Sequence, residues 1–279
     1  MTGAVGAAVC ALGAALIIGM GSPTTPPQAF DAVFHLAAVG VVAGLLGPNG
    51  CGKSTLVRSI AGAQHCHGSV SYGKRSGRAL QDVTGYMPQE IPGHIALTAM
   101  ESVLVSAQRG GSAWRVPKKD VERAYAALEA LGIGKLANTY LGECSGGQRQ
   151  LISLAQTLVH GPELVLLDEP TSALDLKHQV RVLRSVRKHV HGSEATVAEK
   201  LNGKDADAGE SSSRLALVVL HDINLATRFC DEVMLMTAGE VVAQGTPHEV
   251  CTSENLSRVY DTEVAVNTDE EGVLTVVAR

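Results

Sequence analysis

The chain has 279 residues, of which 45% are hydrophobic and 18% charged, and carries a net charge of -5. This supports a sizeable buried core, excludes wholesale disorder, and lacks the basic surplus of a dedicated nucleic-acid binder. The cysteines (Cys10, Cys51, Cys66, Cys144, Cys230 and Cys251) show no C-x-x-C spacing, which argues against a disulfide scaffold or zinc ribbon and fits a reducing compartment.

From Met1 to Phe30 there is no charged side chain, and the first Lys or Arg is Lys53. The run Ala4 to Met20 lacks the basic start of a signal peptide and is too rich in small residues for a firm membrane span. It reads as a loosely docked extension or as a membrane-associated one. Ser22-Pro23-Thr24-Thr25-Pro26-Pro27 then breaks any helix. Val39 to Leu46 is a short apolar run expected to form a buried parallel strand, with a helix over Ser54 to Ala63. Val70 to Tyr72 and Val83 to Met87 read as strands.

The stretch from Leu97 to His160 is helix-rich. Val121 to Leu131 and Arg149 to Val159 both place apolar residues at helical spacing. Leu164 to Leu167 and Leu215 to Leu220 read as buried strands, Gln179 to Val190 and Asp222 to Phe229 as helices. The polar stretch His191 to Arg214 predicts a flexible insertion. Val233 to Met236 and Val241 to Gln244 form a hairpin around Gly239, and the tail pairs Val264 to Val266 with Val273 to Val277. Strands alternating with helices indicate an α/β fold with a mostly parallel sheet, interrupted by a helical insertion.

Between the first buried strand and its helix lies Gly47-Pro48-Asn49-Gly50-Cys51-Gly52-Lys53-Ser54, followed by Thr55. This fits G-x-x-x-x-G-K-[ST] in the strand-loop-helix context that the motif requires. Backbone N–H groups of such a loop cradle phosphate oxygens at a helix N-terminus. Lys53 would reach the β- and γ-phosphates, and Ser54 would ligate Mg²⁺. A second apolar strand delivers Asp168 and Glu169 at its C-terminal end, where ligands bind in open α/β sheets. Asp168 suits Mg²⁺ through water, and Glu169 suits polarising an attacking water.

Cys144-Ser145-Gly146-Gly147-Gln148 stands between these motifs, and here the sequence resembles the ATP-binding-cassette ATPases. Gln89 in Tyr86-Met87-Pro88-Gln89, Ser172-Ala173-Leu174-Asp175, and His221 after a buried strand follow the same family's order. The wording around Leu174 to Gln179, His221 to Ala226, Gly245-Thr246-Pro247 and Val259-Tyr260 is similar to the ATPases of bacterial iron-chelate importers, which carry iron-siderophores, haem or cobalamin. The resemblance implies a P-loop NTPase core over residues 37–89 and 161–266, with a helical subdomain at 90–160. It leaves an atypical apolar extension at 1–36, the insertion at 191–214 and a tail at 267–279.

It further implies a head-to-tail homodimer in which Ser145, Gly146, Gly147, Gln148 and Asp175 meet the partner's ATP. Gln89 would contact Mg²⁺ or water, and His221 would hold the γ-phosphate and Glu169 in line. The helical subdomain would dock on permease subunits at the cytoplasmic face of the membrane, with a substrate-binding protein acting indirectly and no nucleic acid involved. A soluble ABC-type ATP switch, or a rearranged and impaired remnant, is the alternative.

Two departures stand out. Cys144 replaces the usual leucine of the signature. The family's opening strands, with their adenine-stacking aromatic, are expected to be missing or replaced, leaving Phe30 and Phe34 as the only substitutes. Leu12 to Phe34 instead loosely resembles the first membrane helix of a permease. His65-Cys66-His67 lacks further ligands for a metal site, and Cys51 reads as a tolerated small residue in the loop.

Overall fold

The computed structural model describes residues 14–19, 33–38, 40–65, 69–89, 96–108, 116–192, 214–270 and 272–279. In chain order, β1 (Ala14–Gly19) and β2 (Val33–Ala38) precede β3 (Val41–Leu46), which feeds α1 (Lys53–Ile60). Then come β4 (Ser69–Tyr72), β5 (Arg75–Ser76), α2 (Gly77–Gln81) and β6 (Thr84–Met87). A helical group follows: α3 (Ala99–Ala107), α4 (Lys118–Ala130) and α5 (Gly146–Leu158), packed on one another. The chain returns to the core with β7 (Leu164–Asp168), α6 (Leu176–His191), β8 (Leu215–Val219), α7 (Ile223–Phe229), β9 (Glu232–Thr237) and β10 (Glu240–Gly245). It ends in α8 (Pro247–Val250), α9 (Ser253–Tyr260) and the hairpin β11 (Val264–Thr268) with β12 (Leu274–Ala278).

The main sheet runs β10-β9-β3-β8-β7-β6, parallel except for β10. Every residue of β7 and β8 is buried, as expected of parallel strands covered on both faces, which read as continuous apolar runs. Alternate residues feed two cores. Leu45, Leu164, Leu166, Leu215 and Leu217 pack with Leu56, Val57 and Ile60 of α1. Leu46, Val165, Leu167, Ala216 and Val218 face Leu151, Val182, Val186 and Phe229 on the other side. Truncating any of these buried leucines, Leu217→Ala for example, costs about 2–5 kcal/mol in transfer and cavity energy.

Register sets the site. Leu45 and Asp168 both align with Val219, and Met87 aligns with Leu167. The C-terminal ends of β3, β6, β7 and β8 therefore lie side by side, and the residues just beyond them emerge at one edge.

The second sheet, β2-β1-β4-β5, is antiparallel, with Leu16 opposite both Leu36 and Tyr72. Strands thus stand where the sequence suggested a loosely docked or membrane-associated extension and a likeness to a permease's first membrane helix. The place of the family's opening strands is filled, by segments without a Tyr or Trp. Their small residues obscure the period-2 pattern, while Ile17, Ile18 and Val33 supply β-branched character. Residues 1–13 and 20–32, Phe30 among them, lie outside the described residues, as do 193–213 of the proposed insertion. His191, placed in that insertion by sequence, is the last residue of α6, and its buried side chain pairs with Asp231 at 3.1 Å. Among the described residues no helix is long and apolar enough to cross a membrane.

Candidate active site

The loop from Gly47 to Gly52 turns back on itself between β3 and α1. Gly47, at φ 148°, leaves no room for a side chain, since a Cβ there would sit 2.1 Å from the Met236 carbonyl. Gly50 and Gly52 are also left-handed, and Asn49 and Gly50 are exposed. Helix α1 begins without a side-chain cap and without an acidic residue in its first turn. Its first N–H groups and its dipole are thus directed at the loop, a ready anion site. Lys53, only 5% exposed, folds back so that Nζ donates to the carbonyls of Gly47 (2.7 Å) and Pro48 (2.9 Å). Cys51 is buried in the same loop and Thr55 is half-buried on α1.

Ser54 Oγ donates to Asp168 Oδ1 at 2.8 Å. Asp168 has no exposed surface, and its Oδ2 has no hydrogen-bond partner among the described residues. Burial pushes its carboxyl above the usual aspartate range, against the opposing Ser54 bond. An orphaned carboxylate oxygen beside a serine hydroxyl is the donor set of a hard divalent cation, so these residues fit Mg²⁺.

Glu169 emerges one residue later with φ 53°, a left-handed backbone that is unusual outside glycine and costs about 1–3 kcal/mol. Both carboxylate oxygens are engaged. Gln89 Nε2 donates to Oε2 at 2.8 Å, and His221 Nε2 lies 2.7 Å from Oε1. Phosphate loop, Ser54, Asp168, Glu169, Gln89 and His221 therefore meet at one end of the sheet. Together they can seat a triphosphate, a cation and a water with a carboxylate base.

The signature residues lie apart from this cluster. Ser145, Gly146, Gly147, Gln148 and Asp175 line a second cavity of about 630 Å³, to which Lys135, Leu174 and His178 also contribute. Ser145 caps α5: its Oγ accepts from the Gln148 N–H at 3.2 Å while Gln148 Oε1 accepts from the Ser145 N–H at 2.8 Å. The Ser145 hydroxyl proton stays available to a ligand. At Gly147 a Cβ would press to 2.9 Å on the Ala173 carbonyl, so glycine there permits the close approach of α5 to the loop after β7. Asp175 caps α6 through the His178 N–H at 2.9 Å, and that bond, with the His178 ring, holds its carboxyl below the usual range.

Cys144 is buried in the core shared with the helical group, and its Sγ donates to the Tyr140 carbonyl at 3.4 Å. Burial pushes the thiol up, so it packs as a small hydrophobe. His65 is described, while Cys66 and His67 are not; no group of three or more metal-ligating side chains occurs among the described residues. Sequence reasoning missed Gln150, whose buried carboxamide binds the Glu169 carbonyl at 2.8 Å. The available cue was a polar residue on the apolar face of α5.

The family profile described as "ABC transporter" matches residues 34–172. The chain is similar to the hemin import ATP-binding protein HmuV of Hahella chejuensis, at 34% identity over 78% of this chain and 81% of the relative. It is also similar to the iron(3+)-hydroxamate import ATP-binding protein FhuC of Bacillus subtilis, at 33% identity over 82% of this chain and 81% of the relative. Among solved structures, a metal-chelate type ABC transporter in an inward-facing conformation superposes with a TM-score of 0.75 at 25% identity, covering 96% of this chain and 98% of that one. With a phosphate loop, an acidic strand end and a signature helix in this arrangement, and with relatives of this extent, the chain belongs to the ATP-binding subunits of ABC transporters and is an ATPase.

Proposed function

We propose that this subunit powers the import of an iron-siderophore or a related metal chelate, haem included. The observation that supports the substrate class is the likeness to hemin and iron-hydroxamate import subunits across most of both chains. In this reading, backbone N–H groups of Gly47 to Thr55 hold the triphosphate, and Lys53 leaves its carbonyl partners to reach the outer phosphates. Ser54, Asp168 and Gln89 hold Mg²⁺, which when bound neutralises charge on the phosphate oxygens. Glu169 takes a proton from the attacking water, and His221 holds that carboxylate and the γ-phosphate in line.

Two copies then assemble head to tail, each offering Ser145, Gly146, Gly147, Gln148 and Asp175 to the other's nucleotide. The helical subdomain at 90–160 seats a permease subunit at the cytoplasmic face of the membrane, and a substrate-binding protein acts through that permease. The core at 37–89 and 161–266 carries the nucleotide chemistry in this reading.

The test is co-purification from membranes followed by uptake of radiolabelled iron as ferric hydroxamate or haem. A permease should come down with the subunit, and uptake of one chelate should stop with Lys53→Ala. A soluble protein with no membrane partner and unchanged uptake of both chelates refutes the reading.

A further inference from the structure

Gln150 lies on α5, little more than one turn beyond Ser145, and is 4% exposed. Its carboxamide is spent entirely on the segment after β7. Nε2 donates to the Glu169 carbonyl at 2.8 Å and reaches Ser172 Oγ at 3.4 Å, and Oε1 accepts from the Ala173 N–H at 3.2 Å. Ser172 Oγ donates to the same Glu169 carbonyl at 3.1 Å. The residue so held is in a left-handed backbone at φ 53°. Such a conformation persists only where its surroundings over-determine it.

We propose that Gln150 is a positioning residue for ATP hydrolysis, fixing the backbone from which the Glu169 carboxylate is aimed and tying that aim to the helix that starts at Ser145. The inference rests on Glu169 acting as the base. It adds a route between the two nucleotides of a head-to-tail pair. An anion engaged at Ser145 displaces the start of α5, and Gln150 passes that displacement to Glu169 in the same chain. Lys53, Ser54 and Asp168 make no bond with Gln150 among those described, so the contacts of the chain's own phosphate loop lie outside its reach.

The informative variant is Gln150→Met, which keeps the volume and removes both hydrogen-bonding functions. In the full-length protein it should lower kcat by about 10- to 100-fold, the scale of a misplaced reacting group. KM for ATP should stay near that of the parent, while the melting temperature should fall by a few degrees as buried backbone groups lose their partners. Combined with Glu169→Gln it should add little further loss, because no carboxylate base remains to be aimed. A kcat within twofold of the parent, or a full additional loss in the Glu169→Gln background, overturns the proposal. Should Gln150→Met not fold, the exposed Ser172→Ala removes the other side-chain donor to the Glu169 carbonyl. It should lower kcat several-fold at constant KM, and unchanged turnover overturns the proposal equally. Normal turnover in Glu169→Gln itself refutes the base assignment, whereas an inactive Glu169→Gln beside a normal Gln150→Met refutes this inference alone.

Discussion

His221 Nε2 and Glu169 Oε1 stand 2.7 Å apart, in direct contact across the ends of two neighbouring strands. The pairing of Asp168 with Val219 leaves Glu169 one step past β7 and His221 two steps past β8, at the same edge. Gln89, two residues past β6, takes the other carboxylate oxygen at 2.8 Å. Three strands thus fix one carboxylate, with only 12% of its side chain exposed. The proposed base is restrained from both sides and by its own strained backbone.

Glu169→Gln tests that base. The amide keeps the size and one acceptor oxygen but cannot take a proton from water. ATP binding should persist, because Lys53, Ser54 and Asp168 are untouched, while turnover should fall roughly 10²-fold or more. Steady-state hydrolysis beside equilibrium nucleotide binding separates the two, and near-normal hydrolysis would sink the assignment.

Lys53 is the second point of leverage. Its ammonium donates to the Gly47 and Pro48 carbonyls inside the loop, and in the proposed function it exchanges these partners for phosphate oxygens when ATP arrives. Lys53→Ala should weaken ATP binding by roughly 10-fold or more, since charge-assisted hydrogen bonds contribute about 1.5–3 kcal/mol. It should leave ADP binding less affected, because the γ-phosphate contact exists only with ATP. Paired titrations with ATP and ADP decide it; equal losses would place Lys53 away from the outer phosphates.

Much of this site is legible before any coordinates. The loop Gly47 to Ser54, the Leu164 to Glu169 run and the Ser145-Gly146-Gly147 turn each carry their chemistry in local residue order, which spacing preserves. Parallel strands such as β7 and β8 show as unbroken apolar runs. What the order does not show is mutual contact. That Gln89 and His221 grip the two oxygens of Glu169 depends on sheet register, and that Gln150 reaches the Glu169 carbonyl depends on how α5 lies on the loop after β7. The strands β1 and β2 escape for another reason: Ala14, Ala15, Ala37 and Ala38 carry little strand propensity, and the pairing of β1 with β2 on one side and with β4 on the other decides their conformation.

Asp168 offers a pH-resolved test. Burial raises its folded pKa above the ordinary 3.8. Its contribution to the stability of the unliganded protein is therefore full below that value and is lost as pH rises through the folded pKa, because the charged form is the one disfavoured by burial. At neutral pH the buried carboxylate is a cost that Asp168→Asn removes. The variant should melt higher than the parent at pH 7. That advantage should shrink as pH falls through the carboxylate range, where the parent carboxyl is also neutral. The same variant should lose the added thermal stability that Mg²⁺ with ATP confers on the parent. Melting curves across pH, with and without Mg²⁺ and ATP, check both statements; a lower melting temperature at pH 7 would show that Asp168 is stabilised as an anion.

The last prediction concerns the base of the nucleotide. Among the described residues, the groups assembled around Lys53 suit phosphates and a cation, and none of them distinguishes adenine from guanine. Ring stacking is the usual source of affinity for a base, at about 1–3 kcal/mol per stack. Aromatic side chains are scarce, at 3% of the chain. Tyr72 and Phe229 are buried, the Tyr260 hydroxyl is buried, Tyr86 is half-buried within β6 against Arg58, and Tyr125 and Tyr140 belong to the helical group and its connection to α5. Phe30 and Trp114 lie outside the described residues, and Phe34 falls within β2. Phe30 and Phe34 are the candidates close in sequence to the phosphate loop. Without a stacking partner, ATP binding should be roughly 5- to 150-fold weaker than with one, at 1.4 kcal/mol per decade, and ATP and GTP should bind alike. Deleting residues 1–22 would remove β1 and with it a strand that pairs β2 to β4, so point variants are the cleaner probe. Titration of the intact protein, Phe30→Ala and Phe34→Ala with ATP and GTP should show weak, poorly selective binding in all three, with a further loss in whichever variant removes a real stack. Micromolar, adenine-selective binding that neither variant alters would mean that another side chain carries the base.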